Sequence, residues 1–270
     1  MNAPTQAHSI ELEGRRLAWR SVGSGPALLL LNGYAATAAD WDPGFLAALA
    51  RSFELVCPDN RGVGGSTPGE QPLTIDVMAA DLEALLDALE LESAPVAAWS
   101  MGGFVAQRLA TRAPRRVAAM ALLATDPGGP EAVLADPEAW AQLTDHSGTP
   151  REQASRLIAL LFPPNLAAGI DERFGDIVAE ARAELSAETL REQESAMAAW
   201  HAESQPRAGG SAPVLIAHGS EDVVIPPANA DALAARWPGC KVELFAGCGH
   251  ALMAQEPERL AELIASSLRR

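Results

Sequence analysis

Pro95-Val96-Ala97-Ala98-Trp99-Ser100-Met101-Gly102-Gly103 is the stretch from which the rest of the chain can be read. Pro95 to Trp99 is apolar without alternation, as a strand covered on both faces is, and Met101 to Arg112 continues as a helix. Small residues stand two before and two after Ser100. A sharp strand-to-helix turn needs them, because larger side chains there collide with the backbone. Such a turn lifts Ser100 above the sheet and close to a helix N-terminus, whose free N–H groups and dipole favour negative charge. The string A-x-S-x-G alone carries little, since a serine at this place can also be a plain helix cap.

Outward from the turn the same rhythm holds. Ala27 to Leu31 is continuously apolar and predicts a second buried strand. Trp41, Phe45, Leu46 and Leu49 mark a helix, Phe53 to Cys57 a strand, and Met78, Leu82, Leu85, Leu86 and Leu89 a helical stripe. Val117 to Leu123 is the next strand. At the front, Ile10 and Leu12 alternate with Glu11 and Glu13, and Leu17 and Trp19 alternate after Gly14, which predicts an antiparallel hairpin at a sheet edge. Strands alternating with helices imply right-handed crossovers, hence an α/β fold with a doubly wound, mostly parallel sheet.

The alternation stops at Asp126-Pro127-Gly128-Gly129-Pro130 and resumes at Pro213 to His218. Residues 1–126 and 211–270 are therefore expected to form one core, and 127–210 a helical insertion. Thr149-Pro150-Arg151-Glu152 has a cap residue, a proline at the first helical position and a carboxylate at the third, ahead of Leu157, Ile158, Leu161 and Phe162. A second stripe runs through Leu190, Met197 and Trp200. An insertion at the carboxyl ends of sheet strands lies over the ligand crevice, so this segment is expected to act as a lid or cap. The chain closes with a strand, Lys241 to Phe245, and a helix opened by Pro257 with Leu260, Leu263, Ile264 and Leu268 on one face.

The chain has 270 residues, 48% of them hydrophobic and 20% charged, which is ordinary globular composition. A formal charge of −15 repels phosphate backbones, which argues against a nucleic-acid partner. Met1 to Ser9 lacks the basic head and apolar stretch of a secretory signal, and no segment reaches the length of a membrane span. A cytoplasmic protein with no membrane partner is expected; no oligomeric state follows from the sequence. Cys57, Cys240 and Cys248 form no paired or metal-type spacing and read as free thiols. Cys248, two residues before His250, reads as a small residue in a tight loop.

At Ser100 the sequence resembles the α/β-hydrolase superfamily, whose turn reads G-x-S-x-G; Ala98 stands in place of the first glycine. The resemblance covers nearly all of the chain outside the insertion, and it implies the order nucleophile, acid, histidine. Asp222, in His218-Gly219-Ser220-Glu221-Asp222-Val223, stands where the family puts its acid, and His250, in Gly247-Cys248-Gly249-His250, where it puts its base. A serine hydroxyl is a poor nucleophile until a base takes its proton, and the imidazole needs an acceptor to fix its tautomer. The resemblance also implies an oxyanion hole from the N–H groups of Met101 and Tyr34. Tyr34 lies in Leu31-Asn32-Gly33-Tyr34, where Asn32 departs from the His-Gly of many relatives. Asp59-Asn60-Arg61-Gly62-Val63-Gly64-Gly65-Ser66 is similar to the family's D-x-R-G-x-G-x-S loop. Its glycine spacing is that of neither a dinucleotide fingerprint nor a P-loop, and a structural role is assigned to it.

Asp126, after the strand Val117 to Leu123, is a rival for the acid, and its following proline and glycines suit a cap at the entrance to the insertion. His8, His146, His201 and His218 show no ligand spacing, so neither metal nor cofactor is expected. Trp99, Trp140, Phe162, Met197 and Trp200, with the Tyr34 ring, are candidates for an apolar substrate pocket, and each could equally be core. The resemblance implies a hydrolase acting on a small-molecule substrate, a carboxylic ester or lactone, through a serine acyl-enzyme. Carbon-carbon bond hydrolases and cofactor-free perhydrolases in the superfamily share that serine, and a slow-turnover ligand-sensing receptor would keep the same three residues. Haloalkane dehalogenases need aspartate where Ser100 stands.

Overall fold

The computed structural model describes residues 5–12, 14–206 and 212–269. Glu13 of the predicted hairpin and the expected boundary at 210/211 lie outside these residues.

An eight-stranded sheet forms the centre, in the order β1-β2-β4-β3-β5-β6-β7-β8. The strands are β1 (Thr5–Leu12), β2 (Arg15–Gly23), β3 (Ala27–Leu31), β4 (Glu54–Pro58), β5 (Ala94–Trp99), β6 (Val117–Leu123), β7 (Val214–Gly219) and β8 (Lys241–Phe245). β1 and β2 form the antiparallel hairpin, with Ile10 opposite Leu17 and His8 opposite Trp19. β2 also runs antiparallel to β4, and from β4 to β8 every pairing is parallel.

The unbroken apolar runs reflect two cores, one on each face of the sheet. Successive side chains of a strand point to opposite faces. Leu29, Leu31, Val96, Ala98 and Leu122 therefore join one core, and Leu28, Leu30, Ala97, Ala121 and Leu123 the other. The first core is closed by α2 (Ile75–Ala88), α3 (Met101–Arg112) and α8 (Asn229–Arg236), the second by α1 (Pro43–Leu49) and α10 (Pro257–Leu268). Helices on both faces of a parallel sheet are what the strand-helix alternation predicts.

Among the boundaries that differ from the sequence reading, two concern aromatic residues. Trp41 precedes α1, because Asp42 is its cap and accepts from Phe45 N at 2.7 Å, with Pro43 at the first helical position. β4 begins one residue later than expected, at Glu54, while the Phe53 ring is 1% exposed in the second core.

Between β6 and β7 the chain leaves the sheet and forms α4 (Pro137–Leu143), α5 (Pro150–Leu161), α6 (Pro164–Ala183) and α7 (Ala187–Ala202). Thr149 and Glu152 make the expected reciprocal capping box at the start of α5. A short helix, α9 (Leu252–Gln255), precedes α10.

The site's position follows from strand register. β3 is flanked by β4 on one side and β5 on the other, so the connections leaving β3 and β5 diverge to opposite faces and open a crevice at their carboxyl ends. Leu31 lies opposite Ala98, which sets the Asn32-Gly33-Tyr34 segment beside the Trp99-Ser100 turn.

Candidate active site

Ser100 joins β5 to α3 at φ 55° and ψ −126°, a conformation that costs a non-glycine residue about 1–3 kcal/mol unless its surroundings impose it. They do so through three hydrogen bonds. Ser100 N donates to Leu123 O at 2.9 Å, while Gly103 N and Thr125 Oγ1 each donate to Ser100 O at 2.8 Å. The small residue at 102 is required by close approach: a Cβ there would lie 2.6 Å from Asn32 O and 2.7 Å from Leu31 O. Ala98 is fully buried in the first core, so its methyl group occupies space that the turn leaves open.

Asp222 and His250 are brought into direct contact. The loop after β7 and the loop after β8 are tied together by Ser220 N donating to Phe245 O at 3.0 Å and Glu221 N to Cys248 O at 2.8 Å. Across this seam His250 Nδ1 donates to Asp222 Oδ2 at 2.8 Å, which leaves Nε2 as the free acceptor of the ring. The other carboxylate oxygen, Oδ1, accepts from the N–H groups of Val224 and Ile225, both at 2.9 Å. Burial pushes the Asp222 carboxyl up, but the His250 charge and the His218 and His250 hydrogen bonds outweigh it and hold the group at about 2. His218, which spacing alone does not single out, lies on β7 with Nε2 donating to Ile225 O at 2.7 Å and 3.4 Å from Asp222 Oδ2. Its position four residues before Asp222, on the strand leading into the Asp222 loop, is the signal that points to it.

Trp99 links this pair to the serine turn. Its Nε1 donates to His250 O at 3.0 Å, and its ring lies 5.2 Å from the imidazole, centroid to centroid. Ser100 follows it directly in the chain and is 8% exposed; His250 is 2% exposed. Gly33 crosses over the turn so closely that a Cβ on it would stand 3.0 Å from Ser100 Cβ and 3.4 Å from Ser100 Oγ. The next residue is Tyr34, whose hydroxyl donates to Glu194 Oε1 at 2.5 Å. Met101, fully buried, opens α3 immediately after Ser100.

Asp126 is placed elsewhere. Its Oδ1 accepts from Gly128 N at 2.8 Å and from Trp200 Nε1 at 3.3 Å, and its Oδ2 lies 3.0 Å from His201 Nε2. It holds the entrance to the inserted helices and pairs with His201 of α7. Of the pocket candidates, Trp200 is taken up by packing: its ring stacks on Phe104 at 5.3 Å, with the Arg108 guanidinium 5.6 Å from its centre. Met197 is buried and Trp140 half-buried against the same core, and Phe162 packs against the other. Cys248 is 3% exposed, and burial, with Glu256 nearby, pushes its thiol up, which removes thiolate character.

The Asp59 loop is a structural knot. Asp59 accepts from Ala38 N at 2.7 Å and Gly65 N at 2.9 Å, and Arg61 forms two bonds to Asp81, at 2.6 and 2.8 Å. No helix among the described residues is long and apolar enough to cross a membrane.

A mostly parallel sheet with an antiparallel leading hairpin, and a serine held at positive φ on the strand-helix turn at its carboxyl edge, define a class: the α/β-hydrolase fold. The sequence profile of the family described as alpha/beta hydrolase fold matches residues 26–257, and the chain belongs to that family. Among its relatives, the pimeloyl-[acyl-carrier protein] methyl ester esterase of Nitrosomonas europaea is 30% identical over 88% of this chain and 94% of that protein. The 2-hydroxymuconate semialdehyde hydrolase of Pseudomonas sp. (strain CF600) is 27% identical over 99% of this chain and 97% of its own. A crystal structure of a hydrolase from Pseudomonas aeruginosa PA01 superposes with a TM-score of 0.78 at 28% identity, over 98% of both chains.

Proposed function

We propose that the protein is a serine hydrolase that cleaves a small carboxylic ester or lactone through an acyl-enzyme on Ser100. The observation that carries this reading is the buried Asp222–His250 pair lying against Trp99, the residue that enters the strained serine turn.

In this mechanism Ser100 Oγ attacks the substrate carbonyl as its proton passes to His250 Nε2. Asp222, holding Nδ1–H, fixes the tautomer and stabilises the imidazolium. The N–H groups of Met101 and Tyr34 receive the developing oxyanion. His250 returns the proton to the departing alkoxide, and a water molecule, deprotonated by the same nitrogen, releases the acyl group and restores Ser100. The inserted helices α4 to α7 serve as a cap over this site and set the size of the acyl group that fits.

The likeness to a methyl ester esterase supports ester cleavage. The likeness to a semialdehyde hydrolase over nearly the whole chain favours carbon-carbon bond cleavage as the second reading. The test is hydrolysis of a short panel of p-nitrophenyl esters by the wild type beside Ser100→Ala and His250→Ala. Turnover that collapses in both variants is the expected result. Absence of turnover above the Ser100→Ala background overturns the ester reading and leaves carbon-carbon cleavage or slow ligand sensing to be assayed.

A further inference from the structure

Two consecutive residues of α7 hold two consecutive residues of the loop after β3. Gln193 Oε1 accepts from Ala35 N at 2.9 Å, and Glu194 Oε1 accepts from the Tyr34 hydroxyl at 2.5 Å. The same Glu194 oxygen lies 2.7 Å from His146 Nε2, so a residue of the α4–α5 connection braces the carboxylate from the other side. Gln193 is fully buried and its Nε2 has no partner among the described residues, so its amide serves this loop as an acceptor.

The loop needs such a hold. Ala35 has φ 57°, in the left-handed region that costs a residue with a side chain about 1–2 kcal/mol. The Tyr34–Ala35 peptide is therefore not at rest in its local preference; it is retained by a bond at each end, both to α7. Burial, with the hydrogen bond and charge of Glu194, pushes the Tyr34 phenol up, so it remains a donor throughout the neutral range.

The accessibility of the site gives this contact a consequence. Ser100 is 8% and His250 2% exposed, and the loop that passes over Ser100 is bonded to an inserted helix, so movement of that helix is felt beside the serine. A shift of α7 away from the sheet separates Gln193 from Ala35 and Glu194 from Tyr34, and the loop carrying the Tyr34 N–H loses both restraints.

We propose that Gln193 and Glu194 are positioning residues that set the Tyr34 N–H for oxyanion stabilisation, so that the oxyanion hole is complete only when α7 is seated on the loop. Closure of the inserted helices then assembles the catalytic donor as well as excluding water. The inference rests on the serine-hydrolase reading.

The test reads the reactive centre by two routes, p-nitrophenyl ester turnover and the rate at which an alkyl fluorophosphonate labels Ser100. In the second, Ser100 Oγ bonds to phosphorus, fluoride leaves, the proton goes to His250, and the phosphoryl oxygen needs the same hole. Gln193→Leu is expected to lower kcat by about 10²-fold with KM nearly unchanged, and to slow labelling comparably. Gln193→Glu, which keeps an acceptor oxygen for Ala35 N, is expected to recover most of the loss. Tyr34→Phe and Glu194→Leu combined should be no slower than the slower single variant, since each already loses the Tyr34–Glu194 bond.

All variants are compared below their unfolding temperatures, measured by circular dichroism. If Gln193→Leu lowers the Tm but labels and turns over like the wild type, or raises KM alone, the contact is only structural and the positioning role is overturned. If the wild type itself is not labelled at Ser100, the serine-hydrolase reading fails first and this inference falls with it.

Discussion

His250 Nδ1 and Asp222 Oδ2 meet at 2.8 Å, with the two side chains 3% and 0% exposed. A carboxylate this enclosed is retained as an ion because every oxygen is occupied: two backbone N–H groups on Oδ1, and His250 with the more distant His218 on Oδ2. The pair is therefore fixed in one orientation before any substrate arrives. Asp222→Asn preserves volume but turns an acceptor toward a donor that can be reversed, allowing the imidazole to take the wrong tautomer. The expected loss in kcat is about 10⁴-fold, as for the equivalent change in a serine protease triad. Asp126→Asn, at the carboxylate paired with His201, is expected to lower the Tm and leave kcat near the wild-type value. Ester turnover of the two variants decides between the two acids: loss of turnover in Asp126→Asn with a functional Asp222→Asn reverses the assignment.

The same carboxylate predicts an acid limit to stability. Its pKa in the folded chain, about 2, lies below the ordinary 3.8, so the stability it contributes is fully present above about pH 4 and is lost as pH falls toward 2. The increment is on the order of 2 kcal/mol. Thermal unfolding followed by circular dichroism from pH 5 to 2 should show a steeper fall for the wild type than for Asp222→Asn, whose amide does not titrate. Parallel curves for the two proteins would mean that the carboxylate is not held ionised by His250 and His218.

The sequence reveals what is local. A buried strand, a turn with small neighbours and a helix occupy consecutive residues, so Ser100 and its setting are readable in one stretch; Asp222 and His250 are reached only through the family resemblance, in the loops after β7 and β8. The contacts that cross the fold are not written that way. Gln193 and Glu194 reach Ala35 and Tyr34 across 158 and 160 positions, and no spacing rule connects a polar pair on an inserted helix to a loop after β3. Helix α6 escapes for another reason. Its apolar residues include Leu166, Phe174 and Ile177, which are 40%, 44% and 63% exposed, so the pattern does not trace a buried face. Trp41 looks helical because it shares a core with Phe45, yet tertiary packing gathers it there from outside α1, its ring 5.8 Å from that of Phe45.

Gly33 gives a test of how tightly the loop approaches Ser100. Its backbone is in a region open to any residue, so Gly33→Ala adds no dihedral strain. The new methyl would meet Ser100 Cβ at 3.0 Å and Trp99 Cε3 at 3.2 Å, and a shift of a few tenths of an ångström in the turn is needed to admit it. Since small misplacements of a reacting group are costly, kcat for a p-nitrophenyl ester should fall roughly tenfold or more while the Tm moves little. An unchanged kcat would show that the loop yields and the serine does not.

Arg182, near the end of α6, is 8% exposed, and its Nε is buried with no hydrogen-bond partner among the described residues. Burial pushes its pKa down, opposed by the carboxylates of Asp40 and Glu194, while Arg156 adds repulsion. A buried guanidinium N–H left without an acceptor is a stability liability, and methionine fills a similar volume without that cost. Arg182→Met should therefore stabilise the protein by about 1 kcal/mol, raising the Tm by roughly 2–4 °C for a chain of this size. Differential scanning calorimetry provides the measurement, and a Tm below that of the wild type would show that the distant charges of Asp40 and Glu194 compensate the guanidinium more fully than its missing hydrogen bonds suggest.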